Sequence, residues 1–152
     1  MAAEIITLQY TSGSSVAYSL VLSSFLDEEI PRKIVGEAAI ERTILGMTYS
    51  TGPSVKHRNI WTLNALLKNE VTSTATKGGT TYNEVGLLRE MYDAWDTDRA
   101  NGLAAKCVLT DGLLSFGSSY VADVWFSEPP VYSLMSSYAS KYISVVMGLT
   151  EV

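Results

Sequence analysis

Three aspartates lie within six positions of the stretch DAWDTDRANGL, residues 93–103, and closely spaced carboxylates can bind a metal ion or exchange protons. The spacing of Asp93, Asp96 and Asp98 does not match a calcium loop, which needs ligands at alternate positions, a central glycine and a terminal glutamate. On a helix, Asp93 and Asp96 share one face, and Asp96 can pair weakly with Arg99 three residues later. The pattern therefore favours a solvated helix face over a metal site.

The only histidine, His57, and the only cysteine, Cys107, are the other candidates for catalytic chemistry. A hydrolase would need the histidine beside a nucleophile and an orienting acid, and the sequence contains no GxSxG nucleophile motif. Cys107 lies in an apolar strand pattern, which is typical of a small buried residue. We therefore predict no catalytic residue, no metal and no cofactor, and we expect His57 to be exposed or to lie at an interface.

Composition and charge narrow the function classes further. The chain has 152 residues, of which 47% are apolar and 18% are charged, and these values suit a folded domain with a hydrophobic core. A net charge of −5 without a Lys/Arg cluster argues against nonspecific nucleic-acid binding. We find no signal-peptide pattern and no apolar run approaching the roughly 18 residues of a membrane span. The expectation is a soluble protein of the cell interior, or a subunit of a particle assembled there.

Alternating apolar and polar residues predict strands along the first part of the chain. The predicted strands cover residues 5–10, 16–22, 33–50 and 59–67. The first two flank the turn-rich stretch TSGSS and are predicted to form a hairpin, and the last places its apolar side chains on one face. The polar, glycine-containing stretch at about 68–80 is predicted to be a mobile surface loop.

One amphipathic helix is predicted over about residues 81–100. Thr81 and Glu84 match a capping box, in which the hydroxyl accepts a bond from a backbone amide and the glutamate reaches back. Gly102 is placed to end the helix. The apolar stripe predicted for this helix comprises Tyr82, Val85, Leu88, Met91, Tyr92 and Trp95.

Strand patterns return after the helix. The dipeptide Asp111-Gly112 predicts a hairpin, and residues 120–127 and 141–152 alternate in the manner of strands. The Pro-Pro segment 128–135 is predicted not to be a central strand, because proline supplies no ladder donor.

The order of several strands, one helix and several further strands predicts the fold class. We expect a mainly β fold: an antiparallel β-sandwich or split barrel with one flanking helix, as a single domain over residues 1–152. Many small hydroxyl residues fall on the predicted strands and loops. Such residues suit flat surfaces that pack against other chains.

Three stretches together resemble structural proteins of bacteriophage tails and baseplates. They are KHRNIWTLNALL (56–67), LREMYDAWDTDRANGLAAKCVLTDG (88–112), and the pair VWFSEPPVY and YISVVMGLTEV within 124–152. The resemblance covers roughly residues 33–152, and the stretch VTSTATKGG before the helix departs from the pattern. It implies a fold similar to tail-tube and distal-tail proteins, and therefore a non-enzymatic, ring-forming subunit that joins tube, hub or wedge components.

The resemblance also implies partners and a location. The partners would be copies of the same chain and other tail or baseplate proteins, without sequence-specific nucleic-acid binding or a membrane segment. The location would be the virion, after assembly in the host cytoplasm. The candidate inter-subunit contacts are His57, Arg58, Asp96 and Arg99.

Two other functions remain open at this point. One is a carbohydrate- or ligand-binding β-sandwich module, for which Tyr132 and Tyr138 are candidate exposed aromatic residues. The other is a small hydrolase that uses His57 or the aspartate cluster.

Overall fold

The computed structural model describes residues 6–25, 32–35, 39–42, 48–51, 58–112, 120–134 and 141–152. Eleven strands and one helix lie in these ranges. In chain order they are β1 (Ile6–Thr11), β2 (Ala17–Leu22), β3 (Arg32–Val35), β4 (Ala39–Arg42), β5 (Thr48–Thr51), β6 (Arg58–Lys68), β7 (Val71–Lys77), β8 (Thr80–Asn83), α1 (Glu84–Ala100), β9 (Cys107–Asp111), β10 (Tyr120–Leu134) and β11 (Tyr142–Glu151). The predicted mainly β fold with one helix is confirmed.

Most strands belong to one antiparallel sheet, in the order β3-β6-β11-β10-β9-β1-β2-β7-β8, while β4 and β5 form a separate hairpin. The sheet curls until the chain after β2 meets β6. Phe25 forms a bridge with Ala65, and the Leu66 amide donates to the Ser24 carbonyl at 2.9 Å. This closure joins β2 to β6 and gives the sheet the form of a split barrel.

The core lies on the inner side of this curled sheet and extends to one face of α1. Strand side chains alternate between core and surface, as the period of two requires. The predicted apolar face of β6 is confirmed, with Trp61, Leu63, Ala65 and Leu67 all buried. Strand β11 lies between β6 and β10, and it confirms the strand predicted for residues 141–152.

The predicted N-terminal hairpin is also confirmed. Strands β1 and β2 pair antiparallel from Ile6 with Leu22 to Thr11 with Ala17. Their inward side chains are buried, and their outward side chains are short and polar or aliphatic.

The predicted loop at about 68–80 is wrong, because the structure places the hairpin of β7 and β8 there. The two strands are joined by Gly78 and Gly79, whose φ angles of 58° and 82° are typical of a tight hairpin turn. Strand β7 also pairs with β2 and places Ala75 in the core. Its many threonines are β-branched and favour extended backbone, although the composition is polar.

The predicted capping box is wrong, because Thr81 lies in β8 and Asn83 is the helix N-cap. The Asn83 side chain accepts a bond from the Gly86 amide at 3.1 Å. Glu84 instead accepts bonds from the Lys68 amide at 2.6 Å and from the Thr74 hydroxyl. This buried carboxylate therefore fastens the start of α1 to the neighbouring strands.

The predicted helix stripe is largely confirmed, and so is the predicted end. Leu88, Met91 and Trp95 are buried, whereas Tyr82 lies in β8 before the helix. Gly102 has a φ angle of 80°, which lies in the left-handed region, and its amide donates to the Arg99 carbonyl. These features form a Schellman-type helix end.

The segment from β9 to β10 differs in part from the prediction. The two strands pair antiparallel, but Asp111 lies opposite Tyr120, so Asp111-Gly112 is not a two-residue turn. Strand β10 continues through the Pro-Pro segment to Leu134 and pairs there with β11, with register shifts around Glu128. In the described structure this part of β10 pairs only with β11. This agrees with the prediction that the Pro-Pro segment is not a central strand.

Candidate interaction surface

The predicted pair of Asp96 and Arg99 is present on the exposed side of α1. The Arg99 Nη2 lies 2.6 Å from Asp96 Oδ1, and its guanidinium lies 5.6 Å from the centre of the Trp95 ring. An exposed pair three residues apart adds little stability. The pair places the Arg99 guanidinium on the surface beside the Trp95 ring, where it is accessible to a partner carboxylate.

Asp98 is partly exposed, and its carboxylate also accepts hydrogen bonds from the β1–β2 hairpin, which the sequence did not indicate. The Tyr10 hydroxyl and the Gly13 amide both donate to its Oδ2, the second at 2.8 Å. These bonds connect the end of α1 to the β1–β2 turn. The bond from Tyr10, followed by the bond from Gly13, lowers the pKa of Asp98.

The lowered pKa of Asp98 predicts a pH-dependent contribution to stability. Because the ionised form is favoured in the folded protein, this contribution is complete above about pH 5 and is lost as pH falls below the usual value of 3.8. We expect Asp98→Asn to lower the melting temperature at pH 7 and the difference from wild type to shrink towards pH 3. Melting followed by circular dichroism measures this, and Asp93→Asn is the matched control at pH 7. Equal melting temperatures of wild type and Asp98→Asn at pH 7 would contradict the role of Asp98.

Of the four candidate contact residues, Asp96 and Arg99 form an ion pair. His57 lies outside the described residues, and the backbone of Arg58 begins β6, where it pairs with Val35. Asp96 and Arg99 lie on α1. The inter-subunit role of all four therefore stays a prediction.

The tyrosines expected in a ligand-binding module receive little support. Tyr138 lies outside the described residues, and Tyr132 is half-buried. Its hydroxyl is buried without a hydrogen-bond partner among the described residues, and burial raises the pKa of Tyr132 to about 12. This ring packs against the core and is not an exposed stacking platform.

Cys107 is fully buried, as predicted, and burial raises the pKa of its thiol to about 12. The thiol is therefore protonated at neutral and mildly alkaline pH, and it is a poor nucleophile. We expect native protein at pH 8 to react with a disulfide reagent on the order of 10²-fold more slowly than protein unfolded in urea. Absorbance of the released thiolate measures both rates, and equal rates would contradict this burial.

A polar cluster at one end of the barrel was not predicted from the sequence. Asn59 donates to the Glu151 carboxylate at 2.7 Å, and the Tyr120 hydroxyl donates to the same carboxylate at 2.8 Å. The indole of Trp61 donates to the buried Asp111 at 3.0 Å. These internal bonds join strands that are far apart in the sequence, which explains why no local pattern indicated them.

The outward side of the curled sheet forms a surface that we call the outer face. It consists of Thr7, Gln9, Thr11, Ala17, Ser19, Val21, Ile60, Thr62, Asn64, Leu66, Lys68, Val108, Thr110, Val121, Asp123, Trp125, Tyr142, Ser144, Val146, Gly148 and Thr150. The charged members of this set are Lys68 and Asp123, and the exposed Lys106 lines the same surface beside Gln9 and Val108. Val121, Trp125 and Val146 are large apolar side chains with at least two fifths of their surface exposed. An exposed sheet face so poor in charge is typical of a surface that contacts another chain.

Comparison with known proteins adds no identification. No protein-family model matches the sequence, and no curated protein was found to match it. Within the described ranges, no three His, Cys, Asp or Glu side chains are arranged to hold a metal ion. No helix among these residues is long and apolar enough to cross a membrane.

Proposed function

We propose that this protein is a non-enzymatic structural protein of a bacteriophage virion, a ring-forming subunit of the tail or baseplate. The observation that carries the proposal is the outer face, a broad exposed sheet surface of small and uncharged side chains on a split barrel with one flanking helix. The resemblance of three stretches to phage tail proteins supports the same assignment. The subunit connects tube, hub or wedge components, and its location is the virion after assembly in the host cytoplasm.

The chemistry of the outer face supports contact with another protein chain. Burying threonine, serine, alanine and valine side chains does not require the removal of water from ions, so the desolvation cost is small. A ring needs two different complementary surfaces on each subunit. The outer face supplies one, and the exposed side of α1 with the Asp96–Arg99 pair supplies a surface of different chemistry.

Sheet edges offer a second means of contact between subunits. In the described structure, β3 and β8 end the sheet, and each has one partner strand. Open edges of this kind pair with strands of neighbouring chains through backbone hydrogen bonds. The net charge of −5 is compatible with a subunit near a DNA channel, because an acidic surface repels the duplex.

Sedimentation velocity over a range of protein concentrations tests the proposal. We expect the purified chain to convert from a monomer into one discrete larger species as the concentration rises. A monomer that persists at about 100 μM, far above the concentrations at which stable interfaces of standard size assemble, would contradict it.

A further inference from the structure

A groove separates the C-terminal half of α1 from the part of β10 that precedes the prolines, and we call it the α1–β10 groove. Its volume is about 340 Å³, and its strand side is formed by residues Trp125–Pro129. Tyr92, Trp95 and Phe126 form an aromatic floor, in which both helix rings lie 5.2 Å from the ring of Phe126. Trp125 lines the groove with 43% of its surface exposed.

The strand beside this groove has an open edge. The pairing of β9 with β10 ends at Cys107 and Val124, and among the described residues no strand continues it. The reason lies before β9, where the Ala105 carbonyl accepts the indole bond of Trp95 at 3.1 Å. That bond joins Ala105 to α1, beyond the last pair of the β9–β10 ladder.

The backbone groups of Phe126 point towards this open edge. In an antiparallel strand the amide and carbonyl of one residue face the same edge, and the next residue faces the other edge. The Val152 amide donates to the Asp123 carbonyl at 3.0 Å, so Asp123 faces β11. Val124 and Phe126 therefore face away from β11, and Val124 has its partner in β9.

We propose that the α1–β10 groove binds an extended peptide segment of a different protein, which adds a strand to β10 at Phe126. An open strand edge beside a helix supplies backbone pairing on one side and side-chain contacts on the other, as strand addition requires. Pro129 has no amide hydrogen and limits the pairing to a short stretch.

The groove also defines the chemistry of the peptide. Its aromatic floor suits an apolar side chain. Asp96 and Arg99 neutralise each other, and Glu128 adds a carboxylate that forms no ion pair among the described residues. The charged lining therefore has a net charge of −1, which favours a lysine or arginine on the peptide, with its charge near Glu128 and the Trp125 ring.

An mRNA-displayed library of random heptapeptides, selected on the purified full chain, tests this inference. We expect enriched peptides to combine an apolar residue with a lysine or arginine. The most enriched peptide is synthesised, and its binding is measured by isothermal titration calorimetry. We expect Glu128→Lys to weaken it by about tenfold, whereas Glu70→Lys, the same charge change on the exposed β6–β7 turn, leaves it unchanged. N-methylation of the peptide amides that pair with β10 removes their hydrogen-bond donors and leaves the charge of the peptide unchanged. We expect it to weaken binding by at least about tenfold.

Three results would overturn the inference. They are the absence of enriched peptides, a preference for acidic peptides, and binding that survives N-methylation at every position. If the chain associates with itself through the groove and added peptide inhibits this association, the occupant is a second copy of the chain. That result would overturn the assignment to a different protein. These assays detect peptide binding, whereas ring assembly is detected by sedimentation and electron microscopy, so the failure of one proposal is distinguishable from the failure of the other.

Discussion

Replacing Trp95 with alanine is expected to lower the free energy of unfolding by about 3–5 kcal/mol, a large part of the stability of a domain of this size. Only 3% of the Trp95 surface is exposed. Its ring contacts Tyr92 and Phe126, and its indole donates to the Ala105 carbonyl, so the substitution removes core volume and leaves a buried carbonyl unpaired. Urea unfolding followed by far-ultraviolet circular dichroism measures the loss.

The matched control is Trp125→Ala, which removes the same side chain from the outer face. Because 43% of Trp125 is exposed, we expect a loss of about 1 kcal/mol or less. Similar losses in the two variants would show that Trp95 does not hold α1 against the sheet.

Replacing Val146 with glutamate is expected to abolish self-assembly and to leave the monomer folded. Val146 is a 44% exposed residue of the outer face at the middle of β11, and it pairs with Asn64 of β6 and Val131 of β10. An unpaired carboxylate buried at a subunit contact costs several kcal/mol. This cost raises the concentration needed for association above the measured range. Circular dichroism checks the fold, and sedimentation velocity checks the association.

Leu103→Glu is the control for this prediction, because Leu103 is 52% exposed but lies after α1, outside the strands that form the outer face. It introduces the same charge in place of an exposed apolar side chain. We expect it to assemble as wild type does. If Val146→Glu assembles as wild type does, the outer face is not part of the subunit interface.

The strands that the sequence predicted correctly are those with a buried face. In β6, the side chains from Trp61 to Leu67 alternate, because one side contacts the core and the other does not. Strand β7 escaped prediction because its threonines make both faces polar. Its place in the sheet is determined by pairing with β2, as between Tyr18 and Lys77, and this partner is distant in the sequence.

The ends of α1 illustrate the same limit. Gly102 identified the C-terminal end because a left-handed residue there is a local requirement. Thr81 and Glu84 matched a capping box, but Glu84 bonds to the Lys68 amide of β6, which no local pattern contains.

The candidate surfaces were the least predictable part of the molecule. Asp98 accepts bonds from Tyr10 and Gly13, which are 88 and 85 positions away in the sequence. The α1–β10 groove likewise depends on the place where β9 leaves β10. The chemistry of these side chains is visible in the sequence, whereas their partners are set by the curl of the sheet.

Electron microscopy of the negatively stained, purified chain, with native mass spectrometry of the same sample, tests the ring proposal most directly. The proposal predicts closed rings with one fixed number of subunits, and it predicts their absence for Val146→Glu. A wild-type sample that contains only monomers, or only open aggregates without a defined subunit number, would contradict it.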